Sequence, residues 1–258
     1  MQDLYLTFLL RERKSWNFYR LIKGTDLKDL SKSLTPQTSS VLNALSEINE
    51  LSNFTLVRGS ALSLYLQHRF SEDLDFFTWL PELSDVHIEV LFDKIPKLHS
   101  LKIINSYLNG IDVVVDNVKA TFFSNGWDEL KNRERFINNS FIAKMELLTA
   151  MKVNTLSLRA KYRDYYDLYI IAKEMFDIRK MLEISMKYLP GMTKKIFATQ
   201  IIYMEDIDDE SIVHLNPKYN AALDDIRVFF EEQVKHFFKA LIDIMRTIYT
   251  KKWVGRFP

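Results

Sequence analysis

Apolar residues at spacings of three and four predict a helix over residues 38–51, where Val41, Leu42, Leu45, Ile48 and Leu51 share one face. The stretch before it, within residues 1–50, also reads as helical. Residues 54–57 form a short β-prone run that ends at Gly59. A helix follows over 60–68 with Ser60 as its N-cap. Residues 74–80 read as a strand and 84–95 as a further helix. The period then changes to two, and 101–108, 111–115 and 118–123 read as three strands. Asp116-Asn117 marks a hairpin turn, and Asn109-Gly110 marks either a turn or a bend. From about residue 140 onward the pattern is almost wholly helical. Its clearest member is 222–248, where Leu223, Ile226, Phe230, Val234, Phe237, Leu241, Ile244 and Ile248 step by three or four. The other face of that helix is charged, with Glu231 and Lys235 in the favourable i,i+4 order. An α+β chain is therefore expected, with a mixed domain over 1–140 and a helical bundle over 141–258.

Composition adds exclusions. The chain has 258 residues, 47% of them hydrophobic and 27% charged, and its formal charge is +1. Bulk charge therefore does not point to nucleic acid or membrane. Cysteine is absent, which excludes disulfide scaffolds, thiolate zinc sites and cysteine nucleophiles. The histidines His68, His87, His99, His214 and His236 show no metal-ligand spacing. No apolar run reaches the roughly 18 residues of a membrane span. The apolar patch over residues 4–10 has Asp3 before it and Arg11, Arg13 and Lys14 after it, the wrong order for a signal peptide. A soluble cytoplasmic protein with no membrane partner is the expectation.

Local charge is uneven. Residues 131–163 carry Lys131, Arg133, Arg135, Lys144, Lys152, Arg159, Lys161 and Arg163 against Glu134 and Glu146, whereas 205–210 is almost all acidic. Solvated helix faces explain most such runs. The sharper reading is a basic wall that faces phosphate.

Chemistry concentrates in Leu56-Val-Arg-Gly-Ser-Ala-Leu62 and His68-Arg-Phe-Ser-Glu-Asp-Leu-Asp-Phe-Phe77. A strand ends at Gly59-Ser60, a helix follows, and a second strand carries Asp73 and Asp75. Glycine permits close approach of a ligand to the backbone. Amide groups at a helix start, with the Ser60 hydroxyl, can hold phosphate oxygens. Asp73 and Asp75 share a strand face roughly 6–7 Å apart along the chain. Two such carboxylates repel unless a cation lies between them, and magnesium suits carboxylates together with substrate phosphates. Two metal ions can activate an attacking hydroxyl and stabilise departing pyrophosphate. Gly-Ser alone is usually a turn and Asp-x-Asp alone usually a wet strand face. In this order, a helix apart, they point to a site.

The arrangement resembles the nucleotidyltransferase signature, Gly-Ser followed by a strand-borne Asp-x-Asp. Gly59-Ser-Ala-Leu62 and His68-Arg-Phe-Ser-Glu-Asp-Leu-Asp-Phe-Phe77 are similar to the AbiEii/AbiGii family of nucleotidyltransferase-like proteins, which includes toxins of abortive-infection and toxin–antitoxin systems. Met151-Lys152, Arg159 and Tyr162-Arg-Asp-Tyr-Tyr-Asp-Leu-Tyr169 resemble the family's second block. The resemblance spans about 55–80 and 143–170 by motif. It implies a small mixed sheet with flanking helices, followed by the bundle. It implies transfer of a nucleoside monophosphate from a nucleoside triphosphate to an acceptor hydroxyl on tRNA or protein, dependent on Mg2+ or Mn2+, with an antitoxin as partner.

By that resemblance Asp73, Asp75 and Lys152 are catalytic, and Asp73 and Asp75 hold metal. Gly59, Ser60, Lys152, Asp164 and Asp167 contact nucleotide. On residues alone, Asp164 and Asp167 share a helical face and Arg163 can pair with Asp167. The family's usual third carboxylate falls by pattern on Thr121, with Asp112 as the substitute if the register differs; Asp116 suits its turn. His68 reads as a packing or cap residue, and the aromatics over 229–238 as core. The rivals are a small-molecule nucleotidyltransferase of the antibiotic-modifying kind and a catalytically degenerate nucleotide-binding or interaction module.

Overall fold

The computed structural model describes residues 30, 32–83, 88–98, 100–205, 207 and 211–254. The helices expected within residues 1–29, the start of the helix expected over 84–95 and most of the acidic run lie outside the described residues. The chain forms two compact units. One extends to Lys152 and takes back the segment Ser211–Asn220, and the other comprises Val153–Glu210 and the chain from Ala221 onward.

The first unit is built on a mixed sheet. Its strands are β1 (Thr55–Val57), β2 (Leu74–Thr78), β3 (Leu101–Tyr107), β4 (Gly110–Val115), β5 (Val118–Ser124), β6 (Arg133–Arg135) and β7 (Phe141–Ala143), and the helices α1 (Pro36–Ser46), α2 (Arg58–Leu66) and α3 (Ile88–Leu98) flank it. The sheet order is β3-β4-β5-β2-β1-β7-β6. β2 pairs parallel with β5 and antiparallel with β1, and β1 pairs parallel with β7. The remaining neighbours are antiparallel. Thr35 caps α1 by accepting from the Thr38 amide, and Pro36 opens it, so this helix starts where its sequence directs.

One face of the sheet is the core. Leu74, Phe76, Val113, Ala120 and Phe122 are buried there beside Val41, Leu42 and Leu45 of α1. Phe122 is the hub, with ring centroids of Phe54, Phe76 and Phe92 at 5.2, 5.3 and 5.7 Å. The alternation of period two sends the other residues of these strands to the opposite face.

The second hairpin falls where its turn signal stands, and the first turns one residue before its signal. Asp116 and Asn117 have φ of +46° and +64°, the left-handed pair that a two-residue hairpin needs. In the first hairpin the chain turns at Leu108-Asn109, and Gly110 already belongs to β4 opposite Tyr107. β3 is an edge strand, and its register shifts between Ile103 and Asn105.

β6 lies in a stretch to which the sequence reading assigned no element, and β7 precedes the helices in a part of the chain read as almost wholly helical. Three-residue strands are too short to show a period. Arg133 secures them. It donates to the carbonyls of Phe54 (2.7 Å) and Ser52 (2.8 Å). Its guanidinium also lies 4.4 Å from the Trp79 ring centroid and 4.0 Å from that of Phe141, and burial pulls its pKa down to about 10. Arg133 thus belongs to the packing rather than to a phosphate-facing wall.

α4 (Met145–Leu158) begins in the first unit. The second unit contains α5 (Tyr162–Glu174), α6 (Ile178–Tyr188), α7 (Lys194–Ile202) and α8 (Leu223–Val254). α8 packs against α5, α6 and α7. Ile226, Phe230 and Val234 are buried at the predicted spacing, and Lys235 pairs with Glu231 at 3.4 Å. Phe229 packs edge-on against Tyr169, a core use of these aromatics. Among the described residues no helix is long and apolar enough to cross a membrane.

Tyr165 ties α5 to the end of α7. Its buried hydroxyl donates to the carbonyls of Gln200 (3.1 Å) and Tyr203, groups that the last turn of a helix leaves without intrahelical partners. Burial pushes its pKa up from 10.0 to about 12. The native state therefore holds this proton more tightly than the unfolded chain. The stability it contributes is complete below pH 10 and is lost as pH rises to about 12. Tyr165→Phe is expected to lower the unfolding free energy by about 1–2 kcal/mol and to flatten its decline over that window. Urea titrations at pH 8, 10 and 11 check both effects, and equal curves for the two proteins would refute the assignment.

Candidate active site

β1 runs straight into α2. Val57 is extended and occupies the N-cap position, and no side chain caps the helix. Ser60 is therefore inside the first turn and is not the N-cap that the sequence suggested. With no loop between strand and helix, the boundary falls earlier. Its hydroxyl turns inward instead: it lies 2.9 Å from Ser71 Oγ and donates to the Asp73 carbonyl. A Cβ at Gly59 would lie 3.2 Å from Arg69 Nη2 and 3.5 Å from Ser71 Oγ, so a bare backbone lets α2 settle this close. The turn between strand and helix is made at Arg58, whose φ of +59° is costly for a side-chain-bearing residue, about 1–2 kcal/mol.

The sheet register aligns the acidic positions. Val57 faces Asp75 across β1 and β2, Asp75 faces Thr121 across β2 and β5, and Thr121 faces Asp112 across β5 and β4. Cross-strand partners share a face, so Asp75, Thr121 and Asp112 form one row opposite the Leu74 and Phe76 core. Asp73 precedes β2 and is exposed. Burial raises the pKa of Asp75, and the Asp73 charge raises it further, while Arg58 and Lys119 oppose. The two carboxylates thus feel each other. Arg58 meets that demand for a cation: Nη1 lies 3.1 Å from Asp75 Oδ1, and its guanidinium stacks 4.8 Å above the Phe77 ring centroid. This pairing offsets the backbone cost at Arg58.

Thr121 stands where the pattern put the third acidic position. Its hydroxyl donates to Asp112 Oδ1 at 2.7 Å, and Lys119 Nζ lies 3.2 Å from the other oxygen. Asp112 is two strand spacings from Asp75, about 10 Å, too far to share one ion directly. Among the described residues no group of three or more His, Cys, Asp or Glu side chains is placed to hold a metal ion. Asp73 and Asp75 still form a hard-oxygen pair of the kind magnesium accepts when phosphate oxygens and water complete its shell. Tyr107 sits at the far end of this face, its hydroxyl 3.5 Å from Asp112 Oδ1, and its pKa is raised by burial and then by the Asp112 charge.

The structure thus gathers Gly59, Ser60, Asp73, Asp75, Thr121 and Asp112 on one side of the first unit. Lys152 lies on α4 in that unit and is 7% exposed. Asp164 and Asp167 lie on α5 of the second unit, both buried. Asp164 accepts from the Lys161 amide and so caps its own helix. His68 is wholly buried and its carbonyl accepts from the Lys218 amide, a packing role. Sequence reasoning gave no role to Arg58 and Arg69, although each lies within a stretch it singled out: Arg58 precedes Gly59, and Arg69 follows His68.

Replacing Arg58 by Met removes the main charge that opposes the rise in the Asp75 pKa. The Asp75 carboxyl should then titrate at a higher pH than in the native protein, by carbon-13 NMR. An unchanged midpoint would show that the ion pair does not form in solution.

No family model matches the chain. An uncharacterised protein of Aquifex aeolicus is 25% identical over 210 residues, which is 80% of this chain and 98% of that protein. The solved structure of JHP933 from Helicobacter pylori matches with a TM-score of 0.52 and 18% identity, over 85% of this chain and 100% of the other. MenT4, a nucleotidyltransferase toxin from Mycobacterium tuberculosis, matches with a TM-score of 0.55 and 15% identity, over 76% of this chain and 80% of its own. At these identities the likeness is one of fold: the chain has the mixed α/β fold of nucleotidyltransferases.

Proposed function

We propose that the chain is a nucleotidyltransferase of the AbiEii/AbiGii kind. It would move a nucleoside monophosphate from a nucleoside triphosphate to an acceptor hydroxyl on tRNA or, as the alternative acceptor, on a protein. The observation that carries this reading is the Ser60 hydroxyl on the Asp73 carbonyl, which sets the uncapped first turn of α2 against the Asp73–Asp75 pair. Amides of that turn suit the triphosphate. Asp73 and Asp75 would hold Mg2+ or Mn2+, which when bound screens phosphate charge and favours the leaving pyrophosphate. Arg58, which pairs with Asp75 in this structure, would suit a phosphate oxygen of the bound nucleotide. Lys152 would add positive charge on the first unit.

In the reaction the acceptor oxygen forms a bond to the α-phosphorus and the α–β phosphoanhydride breaks. Pyrophosphate leaves, and the hydroxyl proton passes to the Asp112 carboxylate, the acid of the row that is not assigned to metal. A toxin role, with an antitoxin partner and action in the cytoplasm where nucleotides and tRNA are found, accords with the toxin named among the structural relatives.

A second reading has its own support. Thr121 stands where the resemblance puts a carboxylate and Arg58 pairs with Asp75, as would suit a degenerate member that binds without transferring. One experiment separates the readings. The protein is incubated with each labelled nucleoside triphosphate, magnesium and total cell RNA, with protein and aminoglycoside acceptors in parallel. RNA should take up label, and Asp73→Ala/Asp75→Ala should reduce it by more than about 100-fold. Label confined to aminoglycoside would establish a small-molecule enzyme. No label from any nucleotide, or label unchanged in the variant, would end the proposal.

A further inference from the structure

The sheet face that carries the acidic row also carries an aromatic row, two residues further along each strand. Phe77 faces Phe123 across β2 and β5, Phe123 faces Gly110 across β5 and β4, and Gly110 faces Tyr107 across β4 and β3. Each of these lies two positions from a member of the first row: Phe77 from Asp75, Phe123 from Thr121, Gly110 from Asp112. The rings form a continuous strip. The centroids of Phe77 and Phe123 are 5.1 Å apart, and those of Phe123 and Tyr107 are 6.2 Å apart. The Arg58 guanidinium covers the Phe77 end.

Gly110 makes the strip possible. A Cβ there would lie 2.1 Å from Tyr107 Cε2 and 2.8 Å from Phe123 Cδ2, so the Tyr107 ring rests on bare backbone. Its hydroxyl is tethered toward Asp112, and Tyr107 remains 40% exposed. One side of the ring is thus supported and the ring is held beside an acceptor, Asp112, and an exposed amide, Asn105.

We propose that Tyr107, supported by Gly110 and Phe123, is a stacking platform for a nucleobase. The proposal rests on the reading of Asp73, Asp75 and the start of α2 as the triphosphate site. A base is the occupant because the strip runs in register beside the polyanion-binding groups. A ligand with phosphates at one end and a flat ring at the other matches both rows. Aromatic side chains on a sheet surface stack bases without regard to sequence, and a neighbouring carboxylate can accept from a base amino group. The base belongs either to the nucleoside triphosphate or to the acceptor's terminal nucleotide.

Equilibrium binding of three ligands to the whole protein tests this: each nucleoside triphosphate, inorganic tripolyphosphate, and a short single-stranded RNA with a free 3′ hydroxyl. Tyr107→Leu removes the ring, and Gly110→Ala pushes it off the strand while keeping it. Each should weaken either the nucleotides or the RNA by about 5- to 100-fold and leave tripolyphosphate within about twofold. Tyr107→Phe should bind as the native protein does, since the ring and not the hydroxyl does the stacking. Weakened nucleotide binding assigns the platform to the triphosphate's base, and weakened RNA binding assigns it to the acceptor's. Circular dichroism confirms that each variant is folded, and the two substitutions act by different means, so one suffices if the other does not fold. Native affinity for both base-bearing ligands, or equal weakening of tripolyphosphate, would overturn the platform. If Tyr107→Leu discriminates between bases and tripolyphosphate while no nucleotide is transferred by the native protein, the reaction fails and the platform stands. If transfer occurs and the ring is dispensable, the platform alone fails.

Discussion

The site depends on one buried hydroxyl. Ser60 is 1% exposed, and its Oγ joins the first turn of α2 to Ser71 and to the carbonyl that immediately precedes β2. It adds a direct polar tie to the packing of α2 against β2, and it acts at the residue that carries the first carboxylate of the pair. A buried polar group that lacks its partner costs about 1–3 kcal/mol, so the link is also self-enforcing: the hydroxyl has nowhere cheaper to go. Gly59 serves the same closeness from the other side, because the space a side chain would need is shared with Arg69 and Ser71.

The electrostatics follow from that closeness. Each acid of the row is matched by a base on the same face, Asp75 by Arg58 and Asp112 by Lys119. Local compensation of this kind explains why a net charge of +1 said nothing about a site. It also shows why the eight basic residues over 131–163 were a poor guide: Arg133 is committed to Trp79 and Phe141, and Lys152 is nearly buried. Counting charges reads the surface, whereas the charges that matter here are paired by the hairpin register and by the start of α2.

Much of the fold was legible. The helix of 222–248, both hairpin turns and the strands β3 to β5 announce themselves through period and turn chemistry, which are local properties. The Gly-Ser and Asp-x-Asp pairing was legible because its members are close in sequence and their order implies strand, helix, strand. Three things were not. β6 and β7 are too short to carry a period, and they exist because Arg133 and the β1 edge hold them. The N-cap assignment of Ser60 failed because Arg58 enters the left-handed region, where a residue of its type is seldom found, and this starts the helix two residues early. The relation of Thr121 to Asp112 was left open because it depends on register, and a one-residue slip moves every side chain to the opposite face. The pairing of Asp75 with Thr121 and of Thr121 with Asp112 settles the register and puts both residues in the row.

The break in register along β3 has a bearing on how this molecule behaves in a crowded cell. β3 ends the sheet, and Ile103, Ile104 and Leu108 are all well exposed along or beside it. An unbroken outer strand with that much grease would invite another molecule to zip on and extend the sheet from chain to chain. The irregularity between Ile103 and Asn105 interrupts the regular ladder of donors and acceptors that such growth copies. Among the described strands, the kink thus works against extension of the sheet at its oiliest rim.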